Sequence, residues 1–136
     1  MGKLTLKGSG VPLAESELER FEAKLGRKLP ADYRAFLLEH NGGKPSAVFL
    51  TVPGFEDTMV HVFCGIGTRV DLEKRMVNLE DDLPAGWIPI GFDPGGNAYL
   101  ANPSGAVFYF DDHVSKKRFG IASSFSAFLS VLRAEL

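Results

Sequence analysis

The residues best suited to chemistry are Asp93, Asp111, Asp112 and His113. Carboxylates and an imidazole at two strand ends are the donor types that bind Mg²⁺ or Ca²⁺, and hairpin geometry would bring Asp93 near the Asp111 end of a sheet. No spaced ligand set such as the twelve-residue calcium loop accompanies them. Asp also suits strand ends and turns, because its carboxylate accepts from nearby backbone N–H groups, and that is the preferred reading here. Cys64 with His61 or His113 would form a thiol nucleophile and its base. Cys64 lies in an apolar stretch beside Gly65, however, and reads as a small core residue. The Gly91–Asn97 segment is glycine-rich, yet it matches neither the P-loop nor the dinucleotide fingerprint, so a tight hairpin is expected instead. No catalytic residue, metal site or cofactor is expected.

Other residues suggest contact with a partner. Trp87 follows the acidic run Glu80, Asp81 and Asp82. An aromatic beside acids is either an interface anchor or a core residue covering a sheet edge, and the second is preferred. Phe55 with Glu56 and Asp57 follows Pro53-Gly54, where an exposed contact and a buried loop anchor are equally open.

These residues need a frame, and the chain supplies one. Leu18, Phe21 and Leu25 form one helical stripe, with Gly26 in position to end it. Ser16 followed by Glu19 has the form of a capping box, with an earlier start near Ala14 as the alternative. Pro30 suits a helix start; Tyr33, Phe36, Leu37 and His40 continue the stripe until Asn41-Gly42-Gly43 ends it. The pattern then predicts strands over 47–52 and 59–64, the second with Val60, Val62 and Cys64 on one side and His61 and Phe63 on the other. Asp71 would cap a short helix carrying Leu72, Met76 and Leu79. Strands over 87–92, 97–101 and 106–110, with a short one over 118–122, are joined by turns too short for crossovers, so they form an antiparallel meander. Pro89 marks an edge position or a bulge. Ser123 or Ser124 would cap a final helix with Phe125, Phe128, Leu129 and Leu132 on one face. Helices at both ends would cover one face of the sheet. The fold class is therefore α+β, an antiparallel sheet of about five to six strands packed on N-terminal and C-terminal helices. A single domain over 1–136 is expected, with 1–10 frayed or an edge strand.

The 136 residues are 45% hydrophobic and 24% charged, a globular balance that can bury a core without staples. One cysteine excludes an internal disulfide framework and suits a reducing compartment. The opening lacks the apolar core of a signal peptide, no apolar run reaches a membrane span, and Gly2 lacks the Ser or Thr of a myristoylation signal. A cytoplasmic location is expected. The net charge of −2 divides unevenly: residues 45–115 hold ten acids and three Lys/Arg (−7), and the flanks hold seven acids and twelve Lys/Arg (+5). An acidic middle disfavours nucleic acid and favours a basic partner, if those charges share a surface.

Four segments in order resemble the SUKH superfamily, which includes fungal cell-wall-assembly regulators and bacterial immunity proteins. They are Phe21–Gly43 (FEAKLGRKLPADYRAFL with NGG), Trp87–Asn97 (WIPIGFDPGGN), Val107–His113 (VFYFDDH) and Ser124–Leu129 (SFSAFL). The resemblance runs from about Val11 onward and departs from the family pattern over Lys44–Gly67, a stretch expected to shape the partner surface. It implies an α+β fold and a binding role without catalysis. In bacteria it implies an immunity protein that blocks a polymorphic toxin. The expected partner surface is Phe55, Glu56, Asp57, Glu80, Asp81, Asp82, Trp87, Asp93, Asp111 and Asp112, docked on a basic toxin domain. A regulatory or scaffold domain with an endogenous protein partner, and a small metal-dependent hydrolase using Asp93, Asp111 and His113, are the alternatives. Neither nucleic acid nor membrane is an expected partner; the oligomeric state is left open, with a monomer favoured.

Overall fold

A computed structural model of the chain describes residues 5–9 and 12–135. In chain order the elements are β1 (Leu6–Lys7), α1 (Glu15–Leu25), α2 (Ala31–Glu39), β2 (Lys44–Pro45), β3 (Phe49–Thr51), β4 (Asp57–Met59), β5 (Val62–Phe63), α3 (Leu72–Asn78), β6 (Ile88–Phe92), β7 (Ala98–Ala101), β8 (Val107–Phe110), β9 (Arg118–Ala122) and α4 (Phe125–Val131). Strands β5-β6-β7-β8-β9 form an antiparallel sheet in sequence order, and β1-β2 and β3-β4 are two smaller antiparallel pairs. The chain has an α+β fold. Residues 1–4 and 10 of the expected frayed or edge-strand opening lie outside the described residues, while Leu6 and Lys7 pair with Pro45 and Lys44.

The helix ends follow local chemistry. α1 starts at the earlier of the two expected points, where the Glu17 carboxylate accepts the Ala14 N–H at 3.4 Å rather than Ser16 forming the box. Gly26 ends it at φ 86°, a left-handed conformation that costs glycine little. Asp71 caps α3 by accepting from Lys74 N–H at 3.1 Å, and Ser124 caps α4 by accepting from Ala127 N–H at 3.0 Å. Asp32 adds a link the sequence did not suggest. Its carboxylate accepts both the Ser126 N–H and hydroxyl at 2.9 and 3.0 Å, tying the start of α2 to the first turn of α4.

The register sorts the sheet into two faces. Tyr99 pairs with Tyr109, and Tyr109 with Phe119, so these three share one face; Leu100, Phe108 and Gly120 share the other. On the first face the Phe128 ring packs tilted against Tyr99, and Phe36, Phe63, Phe125 and Phe128 form an aromatic cluster with α2. Each fully buried ring contributes roughly 1.5–3 kcal/mol of transfer free energy, so this cluster anchors helices to sheet. The second face is also covered, by α3 and by Trp87, where the sequence suggested helices on one face only. That is why every residue of β6 and β7 is buried.

The predicted strand over 59–64 is broken in two. Val60 donates to Val48 O while His61 donates to Phe92 O, so the chain leaves the β3-β4 pair and joins the large sheet between these residues. The expected alternation fails with it: Val60, Phe63 and Cys64 are buried and Val62 is half-buried. The strand over 47–52 shortens to β3, and Trp87 lies just outside β6. Pro89 sits at a register shift, as a proline in a strand requires, because the two-residue β5 pairs only with Gly91 and Phe92.

Candidate partner-binding surface

Asp93 is buried, and both its oxygens are engaged inside the chain. One accepts the Asn97 N–H at 2.8 Å and the other the Tyr109 hydroxyl at 2.6 Å. Asn97 completes the network, donating to Tyr109 Oη at 2.9 Å and accepting the Asp112 N–H at 3.0 Å. Burial and the bond to Asp93 push the Tyr109 phenol well above its ordinary value. Asp111 is also buried; its carboxylate accepts the Ser115 N–H and hydroxyl at 3.1 and 2.9 Å, which hold it below the usual carboxylate range. His113 Nε2 lies 3.0 Å from Gly95 O. The 93–97 turn meets the end of β8 through Asn97 and Gly95, which bond Asp112 and His113. The carboxylates point to separate partners, and among the described residues no three His, Cys, Asp or Glu side chains form a group that could hold a metal ion.

Cys64 is fully buried, and burial pushes its thiol up to about 12, with Asp71 adding to the shift and Arg75 opposing it. Such a thiol is a core group rather than a nucleophile.

Of the aromatic candidates, Phe55 is a half-buried loop anchor, its ring 5.1 Å from Tyr109 and 5.2 Å from Phe119. Trp87 is half-buried as well, 4.8 Å from Phe108, with the Arg118 guanidinium 5.3 Å above its ring. Tyr109 and Phe108 are adjacent residues of one strand, so Phe55 and Trp87 lie against opposite faces of the sheet. The Phe55-Glu56-Asp57 group and the Glu80–Trp87 group are consequently two separate surfaces.

The acids differ in how free they are. Lys116 Nζ lies 2.6 Å from Asp112 and 3.6 Å from Asp82 and is shared between them. Asp57 accepts the Thr51 hydroxyl at 2.6 Å. Glu56, Glu80 and Asp81 are exposed.

The sequence model of the SMI1 / KNR4 family (SUKH-1) matches residues 12–131. The chain belongs to this family. No curated protein matches it. The SUKH-1 match spans all four helices and all strands but β1, so it includes the segment over Lys44–Gly67 that departs from the family pattern. Among the described residues, no helix of this SUKH-1 domain is long and apolar enough to cross a membrane.

One feature of the SUKH-1 chain escaped the sequence reading. A groove of about 520 Å³ is lined by Lys7, Lys44, Phe63, Arg69 and Val70, and it adjoins a second of about 340 Å³ lined by Lys44, Arg69, Arg75 and Phe92. Its cations come from β1, β2, the loop before α3, and α3 itself. Counting charge along the chain separates them; pairing of β1 with β2 and the contact of β2 with β5 bring Lys7 and Lys44 to the loop that carries Arg69.

Proposed function

We propose that this SUKH-1 domain is a non-catalytic protein-binding domain of the immunity type, which binds and neutralises a toxin domain by occlusion. The observation that carries the reading is the inward engagement of its chemical groups. Asp93 and Asp111 are spent on turns and Cys64 on the core, inside a SUKH-1 fold. The exposed Glu80 and Asp81 beside Trp87 form the surface proposed for a basic partner, with Glu56 and Asp57 as a second contact on the other face. Complementary charge would speed association, and the Trp87 ring would slow release. We place the protein in the cytoplasm, where such a toxin would be intercepted.

The test is co-purification with the product of the adjacent toxin-like gene, followed by rescue of growth when both are expressed. Binding at low salt that weakens on Glu80→Lys/Asp81→Lys supports the reading. Absence of binding at low salt, with growth unprotected, would sink it in favour of a regulatory domain with an endogenous partner.

A further inference from the structure

We infer that the groove between β2, β5 and the loop before α3 is a docking site for an acidic, extended segment of a partner polypeptide. This goes beyond the preceding proposal, because it concerns a surface of opposite charge and does not depend on what docks at Glu80 and Asp81.

The first observation is charge without compensation. Lys7, Lys44 and Arg69 are exposed, and among the described residues neither they nor Arg75 has an ion-pair partner. Asp93 lines the second cavity but is buried, and the nearby carboxylates bond groups other than these cations. Asp71 accepts the Gly67 and Lys74 N–H groups, Asp93 accepts from Asn97 and Tyr109, and Glu73 pairs with Lys24 at 3.1 Å. In a chain with net charge −2, removing these four cations leaves −6, so their gathering in one groove sets it apart from the rest of the surface.

The second observation is that the groove is held in shape before anything binds. Asn41, at φ 47°, accepts the Ile66 N–H at 2.8 Å and donates to Ile66 O at 3.1 Å. The Asp71 carboxylate holds the Gly67 N–H at 2.6 Å, and Thr68 Oγ1 donates to Val70 O at 2.9 Å. The loop presenting Arg69 is therefore fixed at both ends. Arg75 is fixed too, its guanidinium 4.8 Å above the Phe92 ring. A rigid host loses little entropy on binding.

The floor selects the class of occupant. Val62, Val70 and Phe92 line it between the cations. An acidic peptide with apolar side chains satisfies both rim and floor. A nucleic acid would satisfy the rim alone, and its continuing backbone would run onto the acidic remainder of the surface.

The test is fluorescence anisotropy on the full chain with a labelled peptide of alternating Glu and Leu. A Lys/Leu peptide and an oligo-dT of similar length serve as comparators. Saturable, salt-sensitive binding of the Glu/Leu peptide is expected, weakened about tenfold or more by Lys44→Glu/Arg69→Glu and left unchanged by Arg20→Glu/Lys28→Glu on α1 and its following loop. If the double reversal disturbs folding, judged by its thermal midpoint, Lys44→Gln/Arg69→Gln decides instead, with a weakening of several-fold expected. Failure of the peptide to bind, tighter binding of the oligonucleotide, or equal weakening by the α1 pair would each overturn the inference. None of these results bears on toxin capture through Glu80 and Asp81, whose own reversal is the separate test.

Discussion

The Tyr109 hydroxyl donates to the Asp93 carboxylate at 2.6 Å from a strand two places away in the sheet, and both groups are buried. This bond, with Asn97 bridging the two, turns the residues most suggestive of catalysis into the clasp of a hairpin. A hydrogen bond to an ionised, buried acceptor contributes about 1.5–3 kcal/mol. Tyr109→Phe is expected to destabilise the chain by about 1–2 kcal/mol, and Asp93→Ala by more, since it also orphans the Asn97 N–H. For a chain of this size 1 kcal/mol moves the midpoint by roughly 3–4 °C. A double-mutant cycle of Asp93→Asn with Tyr109→Phe should show coupling. Additive losses would mean that the pair does not act as a clasp.

Glu22 gives the stability a pH dependence. Burial disfavours its charged form, but Arg34, the Leu29 N–H at 2.8 Å and Lys28 outweigh that and hold the carboxyl below its ordinary value. Asp32 is held low in the same way, burial opposing and the Ser126 and Tyr33 donors prevailing. A carboxyl depressed in the folded state adds stability that is complete above its unfolded value, about 4.3 for Glu, and that is lost as pH falls through the folded value. Chemical denaturation should therefore show stability falling as pH drops below about 4.5. Glu22→Gln should lose stability at pH 7 and flatten part of that acid limb. An unchanged limb in the variant would remove Glu22 from the account.

Much of this fold could be read from the residues, and the reasons are local. Gly26, Asp71 and Ser124 act at helix ends through their own backbone freedom or side-chain oxygens, so their types and positions suffice. The meander follows from turns too short to do anything else. What could not be read depends on contacts between distant segments. The break between Val60 and His61 exists because two neighbouring N–H groups serve different sheets, which apolar periodicity does not encode. The surface candidates fared similarly. Eight acids of the acidic middle were expected on one surface, whereas the register puts Phe55 and Trp87 on opposite faces, Lys116 arrives from a later turn to pair with Asp82 and Asp112, and Arg69 joins lysines from the N-terminal third.

Cys64 should be inert in the native protein. With burial pushing its thiol up to about 12, almost no thiolate is present at pH 8, and the side chain is inaccessible. Labelling by a disulfide reagent should proceed no faster than unfolding and should accelerate with denaturant along the unfolding curve. Rapid labelling under native conditions would return Cys64 to the list of reactive groups.

Gly65 tests whether the loop before α3 is as tightly built as its hydrogen bonds suggest. It is buried, and a Cβ there would lie 2.7 Å from Thr68 Cγ2 and closer still to the Asn41 carbonyl oxygen. Thr68 can rotate only by giving up its bond to Val70 O, and Asn41 is held through its side chain to Ile66, so neither yields easily. Overpacking of this kind costs about 1–3 kcal/mol, and Gly65→Ala should lower the midpoint by roughly 4–10 °C. The strain falls on the segment that presents Arg69, so the same variant should weaken the Glu/Leu peptide while leaving any interaction through Glu80 and Asp81 at its original strength. Ordinary stability with unaltered peptide binding would show that the loop is softer than its bonding pattern requires, and that rigidity contributes nothing to the groove.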